Sequence, residues 1–268
     1  MSNASANGWR WSRASGAHEW RRSGVSGAQR GYSLIEVLIA MLVGLFLVGG
    51  ALTLVQNTRR AYGNQAGMAQ LQDQERLAMT ILNDVIQAAG FFPDPTTYTS
   101  AGSLPAAGVF AAGQAITGTS GTSDTISVRF MDGANPLNNQ LINCTGGTNS
   151  TGSPVRYINA FSIITVGTTQ ALACTLSTNG AAAAIMPLIN GVQSMQIWYG
   201  VKRNFTVDNT NVDTYLMASQ MAAADWLNVS SVKVRLTFTN PMSAQPGQPA
   251  TLAMERVIAI MNRAGVKT

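Results

Sequence analysis

The chain has 268 residues, enough for one medium domain with an extended appendage. Charged residues make up only 11% and hydrophobic residues 46%, oily for a cytosolic enzyme but too little for a multi-pass membrane protein. The formal net charge of +5 does not describe a nucleic-acid surface, because residues 1–31 carry Arg10, Arg13, Arg21, Arg22 and Arg30 against Glu19 alone. The remainder is nearly neutral, and direct nucleic-acid binding is not expected.

Taken in chain order, the basic stretch ends at Arg30-Gly31 and is followed by Tyr32-Ser33-Leu34-Ile35-Glu36. An apolar run without a charge then extends from Val37 to Val55. With Tyr32 to Leu34 included, this run is long enough to span a bilayer, which takes about 20 helical residues. Arginines before it favour a cytoplasmic N-terminus. A secretory signal would have a shorter apolar core and a small-residue cut site after it. Gly49-Gly50-Ala51 has such residues, but the run continues through Val55, so a conventional cleaved signal is not expected. Glu36 stands at the edge of the run. An ionisable group at that depth is costly and usually has a partner, unless it sits solvated among the headgroups.

The run from Arg30 to Ala40 (Arg-Gly-Tyr-Ser-Leu-Ile-Glu-Val-Leu-Ile-Ala) resembles the processing site of type IV prepilins and type II secretion pseudopilins. The resemblance implies a cut between Gly31 and Tyr32 by a membrane prepilin peptidase, then methylation of the new N-terminus. Tyr32 stands where that family usually has Phe. Glu36 matches the family's glutamate, five residues after the cut. Its carboxylate would compensate the freed amine of a neighbouring subunit, because a buried unpaired carboxylate is expensive. Glu36 thereby sets the axial register of assembly. A leader of 31 residues is long for this family. Translation from near Val25 would give an ordinary short one, and a genuine N-terminal extension is the other reading.

Beyond Val55 the helical pattern continues with Met68, Leu71, Ala78, Leu82, Val85 and Ala89 on one stripe and Gln70, Asp73, Arg76, Asn83 and Asp84 elsewhere. A helix continuous from Tyr32 to Ala89 would reach ~87 Å. Gly90, followed by Pro93 and Pro95, marks its end. Residues 93–123 read as loop. Strands are expected at Thr125–Met131, Val155–Val166, Val192–Val201, Val232–Thr239 and Glu255–Met261, and a short helix over Asp213–Leu227. Asn143–Ser153 and Ser177–Ala184 read as loops, and Pro241–Pro249 as a hairpin loop between the last two strands.

Two further stretches narrow the resemblance. Leu71 to Met79 followed by Asp84 to Phe91, with its Ala89-Gly90-Phe91 step, is similar to the helix end of PilW-type minor pilins. Tyr215 and Trp226 to Arg235, paired with Glu255 to Arg263, are similar to that group's C-terminal half. The implied fold class is α+β and type IV pilin-like: a long N-terminal α-helix, half of it membrane-spanning, packed on a C-terminal antiparallel β-sheet head. The implied organisation is a leader over 1–31, a transmembrane or filament-core helix over 32–55, an amphipathic half over 56–90 and a β-rich head over 91–268. Implied partners are prepilin peptidase, other minor pilins, the major pilin, the inner-membrane assembly platform and, before assembly, membrane lipid. The implied place is the inner membrane with the head in the periplasm, then the extracellular pilus at its tip, supporting motility, adhesion or DNA uptake. A minor pseudopilin of type II secretion shares the anchor and general fold. A singly anchored periplasmic enzyme or binding protein would show no cut at Gly31.

The two cysteines, Cys144 and Cys174, lie in the exported part, where an even count suggests one disulfide; two unpaired buried thiols are the other reading. Closing a loop of about 30 residues would contribute ~3–4 kcal/mol. Many PilW relatives have a cysteine soon after the Ala-Gly-aromatic step, where this chain has Phe92-Pro93, so their pairing does not transfer. The lone histidine, His18, falls in the leader, which leaves no Ser-His-Asp, Cys-His or His-metal site in the mature chain. Neither a cofactor nor a catalytic role is expected. Asp208 to Asp213 places oxygen ligands at alternate positions but lacks the order and terminal glutamate of a calcium loop. Trp198, Tyr199 and Trp226 sit on apolar patterns that suit a core better than a sugar platform.

Overall fold

The computed structural model describes residues 31–134, 141–181, 184–204 and 212–263. The basic leader, His18 and the alternative start near Val25 lie outside these residues, as do Asp208 to Asn211 of the calcium-like stretch. The chain forms two compact units, residues 1–56 and 57–268.

One α-helix, α1 (Leu34–Gln87), begins in the first unit and continues into the second. Ser33 starts it, its carbonyl accepting from the N–H groups of Glu36 at 2.9 Å and Val37 at 3.2 Å. Over its first turns every face is apolar. Leu, Ile, Val, Met and Phe side chains from Leu34 to Val55 stand open, Phe46 at 77% exposure. A helix hydrophobic all round needs an apolar surrounding, and this one is long and apolar enough to cross a membrane.

In the second unit α1 becomes one-sided. Leu71, Ala78, Leu82, Val85 and Ala89 are buried, joined by Met79 and Ile86, with Met68 packed at the margin. Asp73, Arg76 and Asp84 remain exposed. The expected stripe is therefore the core-facing one, and it is slightly wider than the spacing suggested. The helix ends at Gln87. Gly90 follows at φ 74°, a left-handed conformation that costs glycine nothing, and its N–H donates to the Arg129 carbonyl at 2.9 Å. The Asn262 side-chain amide, far along the chain, donates to the Ala89 carbonyl at 3.2 Å, satisfying an orphan group of the helix end.

Among the described residues the head has nine strands and a short helix, α2 (Ser100–Ser103). In one antiparallel sheet β1 (Ile116–Thr119), β2 (Thr125–Asp132), β3 (Val155–Val166), β4 (Thr169–Thr178) and β5 (Ile185–Asn190) neighbour one another in chain order. The chain crosses at Gly191 into a second antiparallel sheet. It contains β6 (Val192–Val201), β7 (Thr214–Leu216), β8 (Val229–Thr239) and β9 (Thr251–Ala259), in the order β7-β6-β8-β9. Inward residues of both sheets, including Ile126, Val128, Phe130, Phe161, Leu172, Ile197, Val232, Val234 and Phe238, share one core with the stripe of α1.

The α+β architecture read from the sequence is the one present: a long N-terminal helix followed by antiparallel sheets. The five expected strands all exist, with β3 and β6 at their expected bounds. Pro241–Pro249 does join β8 to β9. Four strands were missed. In β4 (Thr-Gln-Ala-Leu-Ala-Cys-Thr-Leu-Ser-Thr) small residues give little local strand signal, and the strand exists because β3 and β5 pair with it on both sides. Its last residues, Ser177 and Thr178, had been read as loop. β1 and α2 lie inside the stretch read as loop over 93–123, and β5 carries Pro187, a residue tolerated on an edge strand.

The helix expected over Asp213–Leu227 is not formed. Thr214–Leu216 instead pairs with β6 (Tyr199↔Leu216, Gly200↔Tyr215), and two 3₁₀ turns follow at Ala218–Gln220 and Asp225–Asn228. Pairing with an open strand edge outweighed a weak local helical pattern. Because Leu82 fills the centre of the helix–sheet contact, Leu82→Ala is expected to cost about 2–5 kcal/mol of head stability. Exposed Leu77→Ala is expected to stay within about 0.5 kcal/mol. Urea unfolding followed by tryptophan fluorescence measures both.

Candidate assembly site

The residues singled out for processing lie together at the start of α1. Tyr32 stands two residues before the first helical residue, Leu34, and is 84% exposed, while Glu36 occupies the first helical turn. A carboxylate there faces the partial positive charge of the helix N-terminus. Tyr32, Glu36, Val37, Ala40 and Met41 line one shallow hollow on the helix surface. The exposed apolar faces of the helix beside this hollow are suited to helix-to-helix packing.

In the head the expected chemistry resolves into structural roles. Cys144 is bonded to Cys174 of β4, with Cα atoms 6.2 Å apart and both residues buried. The loop carrying Cys144 is held from beneath by Asn159 of β3, whose Oδ1 accepts the Cys144 N–H at 2.8 Å. Asn143 organises the same loop, its Oδ1 accepting from the N–H groups of Thr145 at 3.0 Å and Gly147 at 3.1 Å. The Gly146-Gly147 pair thus belongs to an asparagine-centred turn.

Asp124 joins the two sheets. Its N–H donates to the Met195 carbonyl at 2.7 Å, and its Oδ2 accepts the Ile197 N–H at 2.7 Å, so the segment before β2 occupies part of the edge of β6. Tyr199 is fully buried there, with its ring 4.8 Å from that of Trp226 in an edge-to-face contact. A Cβ at Gly118 would overlap the Tyr199 hydroxyl, so this position of β1 admits only glycine. Burial, and then the Asp124 charge, push the Tyr199 phenol far above its usual range. Tyr199 and Trp226 are thus core contacts. Trp198 differs: it is half-buried on the opposite face of β6, with Lys233 Nζ 4.6 Å from the ring centre.

Of the calcium-like stretch Val212 and Asp213 are described, and Asp213 alone of these carries a carboxylate. It accepts from the N–H groups of Arg203 at 3.0 Å and Asn204 at 2.7 Å, and lies 3.8 Å from Lys202 Nζ. The Asn204 N–H bond is the largest influence holding its carboxyl below the usual range. Asp225 is likewise held low, chiefly by Arg203, which bonds both its oxygens, at 3.2 Å and 2.6 Å. Among the described residues no three His, Cys, Asp or Glu side chains are grouped to hold a metal ion.

Sequence reasoning missed two buried charged groups. Arg129 of β2 is 3% exposed and bonds backbone carbonyls only, those of Gln114, Pro105 at 2.7 Å, Leu104 at 3.0 Å and Ala111 at 2.6 Å, with Phe110 beneath it. The loop from Leu104 to Gln114 thus wraps around one guanidinium. Desolvation first, and then the Arg156 charge, lower Arg129 to about 10. Asp132 is fully buried with Oδ1 accepting the Gly133 N–H and Oδ2 unpartnered. Both sit on a strand whose alternation is otherwise apolar-inward, and only that break in pattern marks them.

Burial raises the Asp132 carboxyl above its usual value. The folded state therefore holds the proton more tightly than the unfolded chain, so this residue lowers stability as pH rises through the ordinary carboxylate value of about 3.9 towards its folded value. Asp132→Asn is expected to raise the melting temperature at pH 7. The gain should disappear near pH 3, where both states of the parent are protonated; thermal melts across that range test this.

Comparison with known proteins addresses the two ends of the chain separately. Residues 27–52 match the family model described as the prokaryotic N-terminal methylation motif. Residues 148–259 match that of Type IV Pilus-assembly protein W, a span running from just before β3 to the end of β9. No curated protein matches the chain. Among solved structures, a chain from the GspK-GspI-GspJ complex of the type 2 secretion system of enterotoxigenic Escherichia coli is 12% identical. The likeness covers 73% of this chain and 99% of that one, with a TM-score of 0.37. A type IV-like pilin from Thermus thermophilus is 17% identical over 72% of this chain and 98% of its own, with a TM-score of 0.36. Both superpositions are loose.

Proposed function

We propose that this chain, which belongs to the PilW-type minor pilins of the type IV pilus, enters the filament through a cut between Gly31 and Tyr32. Prepilin peptidase processing is what the N-terminal methylation motif implies. Removal of residues 1–31 takes away most of the net positive charge and leaves the apolar helix, so the product keeps its membrane anchor. The single observation that carries this reading is the sequence order at the helix start: Gly31, an exposed Tyr32, then Glu36 in the first turn of a helix whose next residues, Val37 to Val55, carry no charge.

Before assembly the span 32–55 holds the chain in the inner membrane with the head on the periplasmic side. In the filament the same span packs against the helices of the major pilin and of other minor pilins, drawn in through the assembly platform. The methylated amine of Tyr32 and the Glu36 carboxylate, which are opposite charges in an apolar surrounding, pair between subunits. A register in which either charge stays alone is penalised, so correct stagger is selected. The head, whose polar groups are absorbed in holding its loops and sheets together, acts as a packing and interaction module without catalysis. Its place at the tip, in a complex that initiates the filament and supports motility, adhesion or DNA uptake, follows from the family. A role as minor pseudopilin of a type II secretion system uses the same anchor and is the second reading.

Mass spectrometry of the membrane-extracted chain, with and without prepilin peptidase, is expected to find a peptide beginning at methylated Tyr32 only when the enzyme is present. An intact leader, or a cut beyond Val55, would sink the reading. Glu36→Leu is expected to be cut normally yet to enter filaments roughly tenfold less, the consequence of one unpaired buried charge. Immunoblots of sheared filaments against membrane fractions measure the ratio, and unchanged incorporation would remove Glu36 from register selection.

A further inference from the structure

A cationic cleft on the head remains unused by either the anchor or the core. Its inner wall is Arg129. Of the five guanidinium N–H groups, four donate to the carbonyls of Gln114, Pro105, Leu104 and Ala111, which leaves one hydrogen on Nη1. Its outer wall is Arg156, the second residue of β3. Asn179 fixes the Arg156 backbone from both sides: its Oδ1 accepts the Arg156 N–H, and its own N–H donates to the Arg156 carbonyl, each at 2.9 Å. The exposed Arg156 guanidinium, by contrast, has no hydrogen bond or ion pair among the described residues.

The cleft holds about 230 Å³ between these arginines, Pro105–Ala107 and Asn179. It adjoins a wider one of about 700 Å³ that shares Arg156 and Asn179 and includes Asp94 and Tyr98. Among the described residues only Asp94 (φ 56°) and Asn179 (φ 50°) are non-glycine residues in the left-handed region, and both line this pair of clefts. Backbone held in sparsely populated conformations gathers at binding sites.

We propose that the cleft between Pro105–Ala107 and the start of β3 binds a small oxyanion-bearing group, a carboxylate or a phosphate. Arg156 holds it with both prongs of its fork, and the remaining Nη1 hydrogen of Arg129 and the side-chain amide of Asn179 complete the cradle. Two guanidiniums line one space, no carboxylate lines it among the described residues, and an anion there offsets their repulsion. Desolvation and the Arg156 charge already depress the Arg129 guanidinium, the strain such an anion would relieve. The inner volume is below the roughly 300–1,000 Å³ of whole-ligand sites, so it accepts a terminal group while the wider cleft takes what carries it. The ionised Asp94 there disfavours a second negative charge on the same ligand. The site is independent of how the chain enters a filament.

The test uses the full chain in detergent micelles, titrated calorimetrically with inorganic phosphate and separately with acetate, against chloride at equal ionic strength. Saturable binding of phosphate or acetate is expected, about tenfold weaker in Arg156→Ala and partly retained in Arg156→Lys. Melting temperatures without anion should be equal for the parent and both variants. Phosphate alone binding assigns a phosphate ester; acetate alone assigns a carboxylate terminus or side chain. Neither anion exceeding chloride, or binding undiminished in Arg156→Ala, overturns the proposal.

Discussion

One helix serving two different surroundings is the constraint on which the molecule depends. From Leu34 to Val55 the α1 surface is apolar on all sides and exposed, whereas from Leu71 onward only one stripe is apolar and that stripe is buried. The change of pattern separates a part that must find lipid or other helices from a part that folds with its own sheets. No proline interrupts the sequence of α1, so both duties fall to one uninterrupted helical segment. Glu36 is intelligible only in this frame. It is the one charge at the edge of a surface that rejects charge, and under the proposed function its cost would become a criterion of correct assembly.

The head shows how a chain poor in charged residues fixes its loops. Neutral amides and a few buried ions act beside a small number of ion pairs such as Arg203–Asp225 and Lys233–Glu255. Asn143, Asn159 and Asn179 each bind backbone groups of loops or strand ends, Asp124 ties the two sheets together, and Arg129 gathers a loop around itself. Buried polar groups of this kind are specific because each unmade bond is costly, so few alternative loop arrangements compete. The Cys144–Cys174 bond adds a covalent tie between a loop and β4, an interior strand of the first sheet, suited to an oxidising compartment. The matches to the N-terminal methylation motif and to the pilus-assembly family model fall on the anchor and on the sheets, the two parts that the patterning of α1 separates.

By itself the sequence determined whatever local periodicity encodes. The exposed apolar run, Glu36 at its edge, the one-sided stripe, the stop at Gly90 and the two strands rich in β-branched and aromatic residues, β3 and β6, are all readable because each depends on residues a few positions apart. Tertiary structure alone decided what depends on partners distant in sequence. β4, rich in Ala, Thr and Ser, is a strand only because β3 and β5 flank it, and Thr214–Leu216 follows the edge of β6 against its own helical pattern. The carbonyls collected by Arg129 and the meeting of Arg129 with Arg156 likewise arise only in the folded head, whereas the Cys144–Cys174 bond was already suggested by the even cysteine count. Short-range patterning carries no information about such encounters, because their free energy comes from burial and hydrogen bonds that exist only after the sheets have formed.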